Sequence, residues 1–117
     1  MFYKLVNVYT RNFSFPNRGL KYFLKAANSL GIANRTYKKR LRANFYMLLN
    51  PTEHIQQQLF WYGYYEKELG ELLKKMLRSN DVFIDIGANI GYFSLLSATI
   101  SPSVKVISFE PVQELGL

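Results

Sequence analysis

Two carboxylates and two glycines, spaced around a turn, are the residues of this chain best suited to do chemistry. The stretch Asp81-Val-Phe-Ile-Asp85-Ile-Gly87-Ala-Asn89-Ile-Gly91 is followed by Val104-Lys-Val-Ile-Ser-Phe109-Glu110-Pro111. Gly87 and Gly91 frame a tight turn between an apolar strand and a helix. Lacking Cβ, they let the backbone approach a ligand, and the helix start that follows offers N–H groups without intrahelical partners. Glu110 lies 23 residues beyond Gly87, at the end of a second strand. In nucleotide-binding α/β folds that position grips ribose, because a carboxylate accepts from two hydroxyls at once. The order of strand, glycine turn, helix, strand and acid is that of a nucleotide-cofactor half-site.

Two residues sharpen the choice of cofactor. Asp85 stands two residues before Gly87. A dinucleotide fold would lay a pyrophosphate by this turn, where a carboxylate would repel it. S-adenosylmethionine has no phosphate but carries an ammonium and a sulfonium, which a nearby carboxylate favours. Asn89 also occupies the place where a dinucleotide fingerprint wants a second glycine. The residues therefore favour S-adenosylmethionine over a dinucleotide-dependent oxidoreductase. The plain alternative is that Asp85 caps a neighbouring turn and Glu110 is a surface acid.

Asp85-Ile-Gly-Ala-Asn-Ile-Gly-Tyr-Phe-Ser94 and Phe109-Glu-Pro111 resemble the first two cofactor motifs of the FkbM-type S-adenosylmethionine-dependent methyltransferases. The upstream residues Met47-Leu-Leu-Asn-Pro, Ile55 and Gly63-Tyr-Tyr-Glu66 are similar to that family's lead-in. The resemblance covers residues 45–117 and leaves 1–44 outside it. It implies a Rossmann-like class I methyltransferase fold and methyl transfer to a hydroxyl of a sugar or secondary metabolite. It further implies that Asp85, Gly87, Asn89 and Gly91 line the methionine end of the cofactor, that Glu110 holds the ribose, and that Glu66 is a recurring acid near the site. Domains of that family continue through further strands that build the acceptor site and any general base, whereas this sequence ends at Val112-Gln-Glu-Leu-Gly-Leu117. The expectation is an N-terminal part of such a domain, inactive by itself; the catalytic base and the acceptor are not readable.

The elements that must position these residues follow from periodicity and punctuation. Val82 to Ile86 and Val104 to Phe109 are short apolar runs expected as buried strands, with a helix from Gly91 to Thr99 between them, giving one parallel βαβ unit. Tyr65 to Arg78 is expected as a helix with Leu69, Leu72, Leu73, Met76 and Leu77 on one face and Glu71 four residues before Lys75 on the other. Thr52 is a candidate N-cap for a helix to Tyr62, which Gly63 ends. Asn44 to Leu49 reads as a short strand, and residues 32–40 as a polar loop. Further upstream, Phe13 to Asn17 is a turn with Asn17 as N-cap, and Leu20, Phe23, Leu24, Ala27 and Leu30 form a helical stripe that Gly31 ends. The fold class is thus α/β, one βαβ unit preceded by a mostly helical basic segment, with a basic extension over 1–44 and the methyltransferase part over 45–117.

Charge divides the chain in the same sense. Ten basic residues and no acid precede Glu53, whereas the rest carries five bases against eight acids. The densest run is Arg35-Thr-Tyr-Lys-Lys-Arg-Leu-Arg42. Such a half is either a solvated face or a module for an anionic surface or nucleic acid; no RNA-binding motif accompanies it. With no cysteine among 117 residues, thiolate metal sites and disulfides are excluded, in keeping with a reducing cytoplasm. No metal-ligand pattern surrounds His54, the one histidine. Trp61, Tyr62, Tyr64 and Tyr65 make an aromatic cluster expected to pack around the βαβ unit, and no apolar run is long enough to span a bilayer.

Overall fold

A computed structural model of the chain describes residues 20–31 and 35–112. Its elements are α1 (Leu20–Ser29), β1 (Tyr37–Arg40), β2 (Tyr46–Leu49), α2 (His54–Tyr62), α3 (Lys67–Met76), β3 (Val82–Ile86), α4 (Tyr92–Ala98) and β4 (Lys105–Phe109). The fold is mixed α/β with two two-stranded sheets. The chain divides into two units, Met1–Tyr65 and Glu66–Leu117. The boundary read at 44/45 instead falls inside the turn of the β1–β2 hairpin, whose pairing holds residues on both sides of it together. The expected turn over 13–17 and the side chains of Leu20, Phe23 and Leu24 lie outside the described residues. Within α1, Ala27 is buried as its stripe requires, while Leu30 is exposed just before Gly31. Among the described residues no helix is long and apolar enough to cross a membrane.

In the first unit, β1 and β2 pair antiparallel from Tyr37↔Leu49 to Arg40↔Tyr46. Strand β1 replaces the end of the expected loop. Its period-two signal is hidden because a lysine takes an inward position. The Lys39 ammonium lies 4.7 Å from the Phe60 ring centroid, and Tyr37 meets the same ring at 5.1 Å. A lysine stem can cover apolar surface in this way while its charge meets the ring face. On the same side Met47 and Leu49 are buried with Leu59, Phe60 and Trp61 of α2. Trp61 stands edge-on to Phe60 at 4.8 Å, so this part of the aromatic cluster belongs to the core of the hairpin unit rather than to the βαβ unit.

Helix α2 starts one residue later than expected. Thr52 donates from both N–H and Oγ1 to Asn50 Oδ1, at 3.1 and 2.9 Å, and the N-cap is Glu53 without a side-chain bond. Gly63 ends the helix at φ 79°, as expected. The last turn is held by Arg42, whose N–H donates to Gly63 O and whose Nε donates to Tyr62 O, both at 2.9 Å. A cation at a helix C-terminus satisfies carbonyls that the helix itself leaves unpaired.

In the second unit, α3 is shorter than the expected 65–78. Glu66 breaks it at the front with φ 41°, and Leu77 is extended at the back. The helix packs through only part of its leucine stripe. Leu69, Leu72 and Met76 are exposed and Leu73 and Leu77 half-buried, while Gly70 is buried with Leu96 of α4 so near that a Cβ at position 70 would come within 3.3 Å of it. The missing side chain lets the two helices approach on the glycine side. Glu71 pairs with Lys74 at 2.9 Å rather than with Lys75, which holds the Glu71 carboxyl below the usual range through the Lys74 hydrogen bond and charge. Such an exposed pair contributes little to stability.

Strands β3 and β4 pair parallel from Val82↔Lys105 to Ile86↔Phe109, with α4 as the crossover. Helix α4 lies against one face, where Tyr92 and Leu96 are buried. The expectation of strands buried on both faces is corrected here. Val82, Ile84, Ile86, Ile107 and Phe109 point to the other face and are exposed, Ile86 by 83%. Among the described residues of this unit no element covers that face.

The hairpin unit separates inward from outward positions cleanly. Leu49→Ala, which empties a fully buried position, is expected to lower stability by about 2–5 kcal/mol. Leu48→Ala, on the exposed face, is expected to change it by less than about 0.5 kcal/mol. Urea denaturation followed by the fluorescence of the sole tryptophan, Trp61, reads both.

Candidate functional site

The site is a junction of three elements, the ends of β3 and β4 and the start of α4. Parallel pairing brings Ile86 opposite Phe109, so the residues after each strand emerge side by side. The turn after β3 then has to find acceptors for its amides. Gly87 N–H and Ala88 N–H both donate to Phe109 O, at 2.8 and 3.0 Å. Asn89 N–H donates to Glu110 Oε2 at 2.7 Å, Ile90 N–H to Asn89 Oδ1 at 2.7 Å, and Gly91 N–H to Ala88 O at 2.8 Å. Every amide from Gly87 to Gly91 is thus bonded within the chain.

The turn's path explains its residue types. Gly87 and Gly91 sit at φ 76° and Asn89 at φ 52°. The left-handed region costs most L-residues roughly 1–2 kcal/mol, and glycine and asparagine least. A Cβ at Gly87 or Gly91 would meet nothing within 4 Å. Glycine is needed there for its backbone conformation, and the space beside both residues is open.

Of the residues singled out in the sequence, Asp85, Gly87, Asn89, Gly91 and Glu110 come together at this junction, and Glu66 does not join its hydrogen bonds. Glu66 is exposed at the head of α3, with its carbonyl accepting from Gly70 N–H at 3.1 Å. Glu110 differs from its expected role in one respect. Its Oε2 accepts from Asn89 and its Oε1 from Val112 N–H at 2.8 Å, so the carboxylate ties the turn to the end of β4. Each oxygen keeps a second lone pair for an incoming hydroxyl.

Asp85 is anchored by residues that the sequence reading passed over. Ser94 of α4 donates to Asp85 Oδ2 at 2.5 Å, and Ser94 Oγ lies 2.7 Å from Ser108 Oγ of β4. A hydroxyl has one proton, so with Ser94 donating to Asp85 the proton between the serines comes from Ser108. The chain of donors runs Ser108 to Ser94 to Asp85 and joins all three elements. Among the described residues Asp85 Oδ1 carries no hydrogen bond. Ser94 stood within the motif spelling, but its link to Ser108 needed the strand register to be seen. The lone His54 is not part of the site; its Nε2 pairs with Gln58 Nε2 at 3.0 Å on the exposed side of α2.

Chemically, the junction presents two carboxylates around a turn with no unused amide between Gly87 and Gly91. An anion cradle needs the opposite, backbone N–H groups aimed outward and cations nearby. The junction suits a ligand with positive charge and hydroxyl donors.

No family model matches the chain, and no solved structure matches it. The chain is similar to the AMB antimetabolite synthetase AmbE of Pseudomonas aeruginosa, 38% identical over 64 residues. That match takes in 55% of this chain and 3% of the synthetase, so the chain spans a very small part of that protein's length.

The tie made by Glu110 is open to direct test. Glu110→Ala leaves the Asn89 and Val112 amides without their acceptors and is expected to cost about 1–3 kcal/mol. Hydrogen exchange should quicken at those two amides first, and Glu110→Gln, which keeps one acceptor oxygen, should fall between the two.

Proposed function

We propose that residues 81–111 are the cofactor half-site of an S-adenosylmethionine-dependent methyltransferase of the FkbM type, acting on a hydroxyl of a sugar or secondary metabolite. The observation that carries this reading is the bonding of all five amides from Gly87 to Gly91 within the chain, between the carboxylates of Asp85 and Glu110. A pyrophosphate would find no unbonded amide from Gly87 to Gly91 and a carboxylate at either end of that turn. A ligand bearing an ammonium and a ribose would find acceptors at both ends of it.

Asp85, locked by Ser94, offers its Oδ1 to the ammonium, and the open space beside Gly87 and Gly91 admits the ligand without a clash. Glu110 accepts from ribose hydroxyls through the lone pairs left over from its amide bonds. Glu66, in the same unit, completes the proposed set. When bound, the cofactor supplies a methyl group made electrophilic by its sulfonium. The share of Asp85 and Glu110 in methyl transfer would be to hold that cofactor and orient it. The Rossmann-like parentage of the β3–α4–β4 unit is part of the same reading and rests on the motif resemblance and the parallel register. The description of AmbE as an antimetabolite synthetase fits a small-metabolite acceptor and does not bear on methyl transfer.

The competing reading, a dinucleotide-dependent oxidoreductase, has the glycine turn in its favour and the bonded amides, Asp85 and Asn89 against it. Calorimetry on the 117-residue chain separates the two. S-adenosylmethionine is expected to bind and NAD not to. Asp85→Asn keeps an acceptor for Ser94 but loses the charge, and should weaken S-adenosylmethionine binding at least about tenfold, the worth of a charged hydrogen bond. Tight NAD binding, or an unchanged affinity in Asp85→Asn, would sink the proposal.

A further inference from the structure

The basic run of the first unit sorts into two kinds of residue once the hairpin is seen. Lys39 faces inward on the Phe60 ring, and Arg42 holds the last turn of α2. Their charges serve the fold. Lys38 and Arg40, on either side of Lys39, face outward. Directly across the hairpin, Lys38 stands opposite Leu48 and Arg40 opposite Tyr46. Leu48 is 70% exposed and Tyr46 56% exposed, although both could have been polar without cost to the core. The outer face of a four-residue hairpin thus carries two cations on one strand and two apolar bodies on the other.

The cations are fixed in place on this face. The Lys38 ammonium lies 5.3 Å from the Tyr46 ring centroid, and Arg40 Nη2 donates to Asn44 Oδ1 at 2.5 Å in the turn. A guanidinium has five N–H donors and an ammonium three, more than any one partner takes up. Arg35 is exposed just before the hairpin, and no acid occurs before Glu53.

We propose that the outer face of the β1–β2 hairpin, Lys38, Arg40, Tyr46 and Leu48, is a contact surface for an anionic phospholipid bilayer. The cations meet lipid phosphates, and the tyrosine and leucine enter the headgroup layer, where amphipathic rings and aliphatic chains are both accommodated. The apolar member decides between a bilayer and a nucleic acid. Nucleic acid needs ring faces on which bases stack, and here the one exposed ring is met by Lys38 while Leu48 offers a base nothing to bond. The surface is separate from the cofactor reading, and either stands without the other.

Vesicle co-sedimentation of the 117-residue chain tests it. The chain is expected to sediment with phosphatidylcholine vesicles containing phosphatidylserine and not with phosphatidylcholine alone, and to be released by salt. Lys38→Gln with Arg40→Gln should weaken binding about thirtyfold, and Leu48→Ala about fivefold. Lys39→Gln removes the same kind of charge from the inner face and should leave binding within about twofold. Trp61 fluorescence reports whether each variant is folded, and the wild-type lipid and salt dependence decides the matter if one is not. No sedimentation, equal sedimentation with neutral vesicles, equal losses in Lys38→Gln and Lys39→Gln, or binding to a single-stranded RNA without binding to vesicles would each overturn the proposal.

Discussion

Three backbone N–H groups at the end of β3 need acceptors, and only the end of β4 supplies them. Gly87 and Ala88 take the carbonyl of Phe109, and Asn89 takes the side chain of Glu110. These bonds tie the glycine turn to the strand register, with Ala88 and Asn89 half-buried. A slip of β4 by one residue would move Phe109 O and Glu110 away together. The left-handed geometry at Gly87, Asn89 and Gly91 is the shape the backbone takes to reach those acceptors. The serine chain from Ser108 through Ser94 to Asp85 fastens the same three elements from the other side.

That constraint also gives the site its electrostatic character. A glycine turn at a helix start is usually thought of as an anion receptor, because its amides point outward. Here the amides from Gly87 to Gly91 are bonded within the chain, and the charged groups beside them are carboxylates. The same two residues that a dinucleotide reading would find awkward, Asp85 and Asn89, anchor the helix and cap the turn. A proposed positively charged cofactor and the internal bonding of the turn are therefore two sides of one arrangement.

The first unit shows how local appearance misleads when one side chain serves two purposes. A polar loop was the natural reading of residues 32–40, because Tyr-Lys-Lys-Arg has no apolar alternation. Lys39 is inward nonetheless, since a ring accepts its charge and its stem covers apolar surface. The leucine stripe of α3 misleads in the opposite way. Its spacing is helical and its helix is real, yet the contact with α4 runs through Gly70. An apolar stripe says that a face can be buried, and a glycine says where another backbone can come closest.

By itself the sequence determined the order of elements in the second unit, the bounds of Val82–Ile86, the helix stop at Gly63 and the grouping of Asp85, Gly87, Asn89, Gly91 and Glu110. Those are local matters, governed by period, by the conformations open to glycine and asparagine, and by spacing along a βαβ unit. Only the tertiary structure decided that Glu110 is already bonded to two amides, that Ser94 and Ser108 support Asp85, that Glu66 stands outside those bonds, and which lysines of the basic run face outward. Apart from the short reach of Glu110 to Val112, these depend on what lies across a strand pair or against a helix, and partners 9 to 21 residues distant in sequence leave no trace in local pattern.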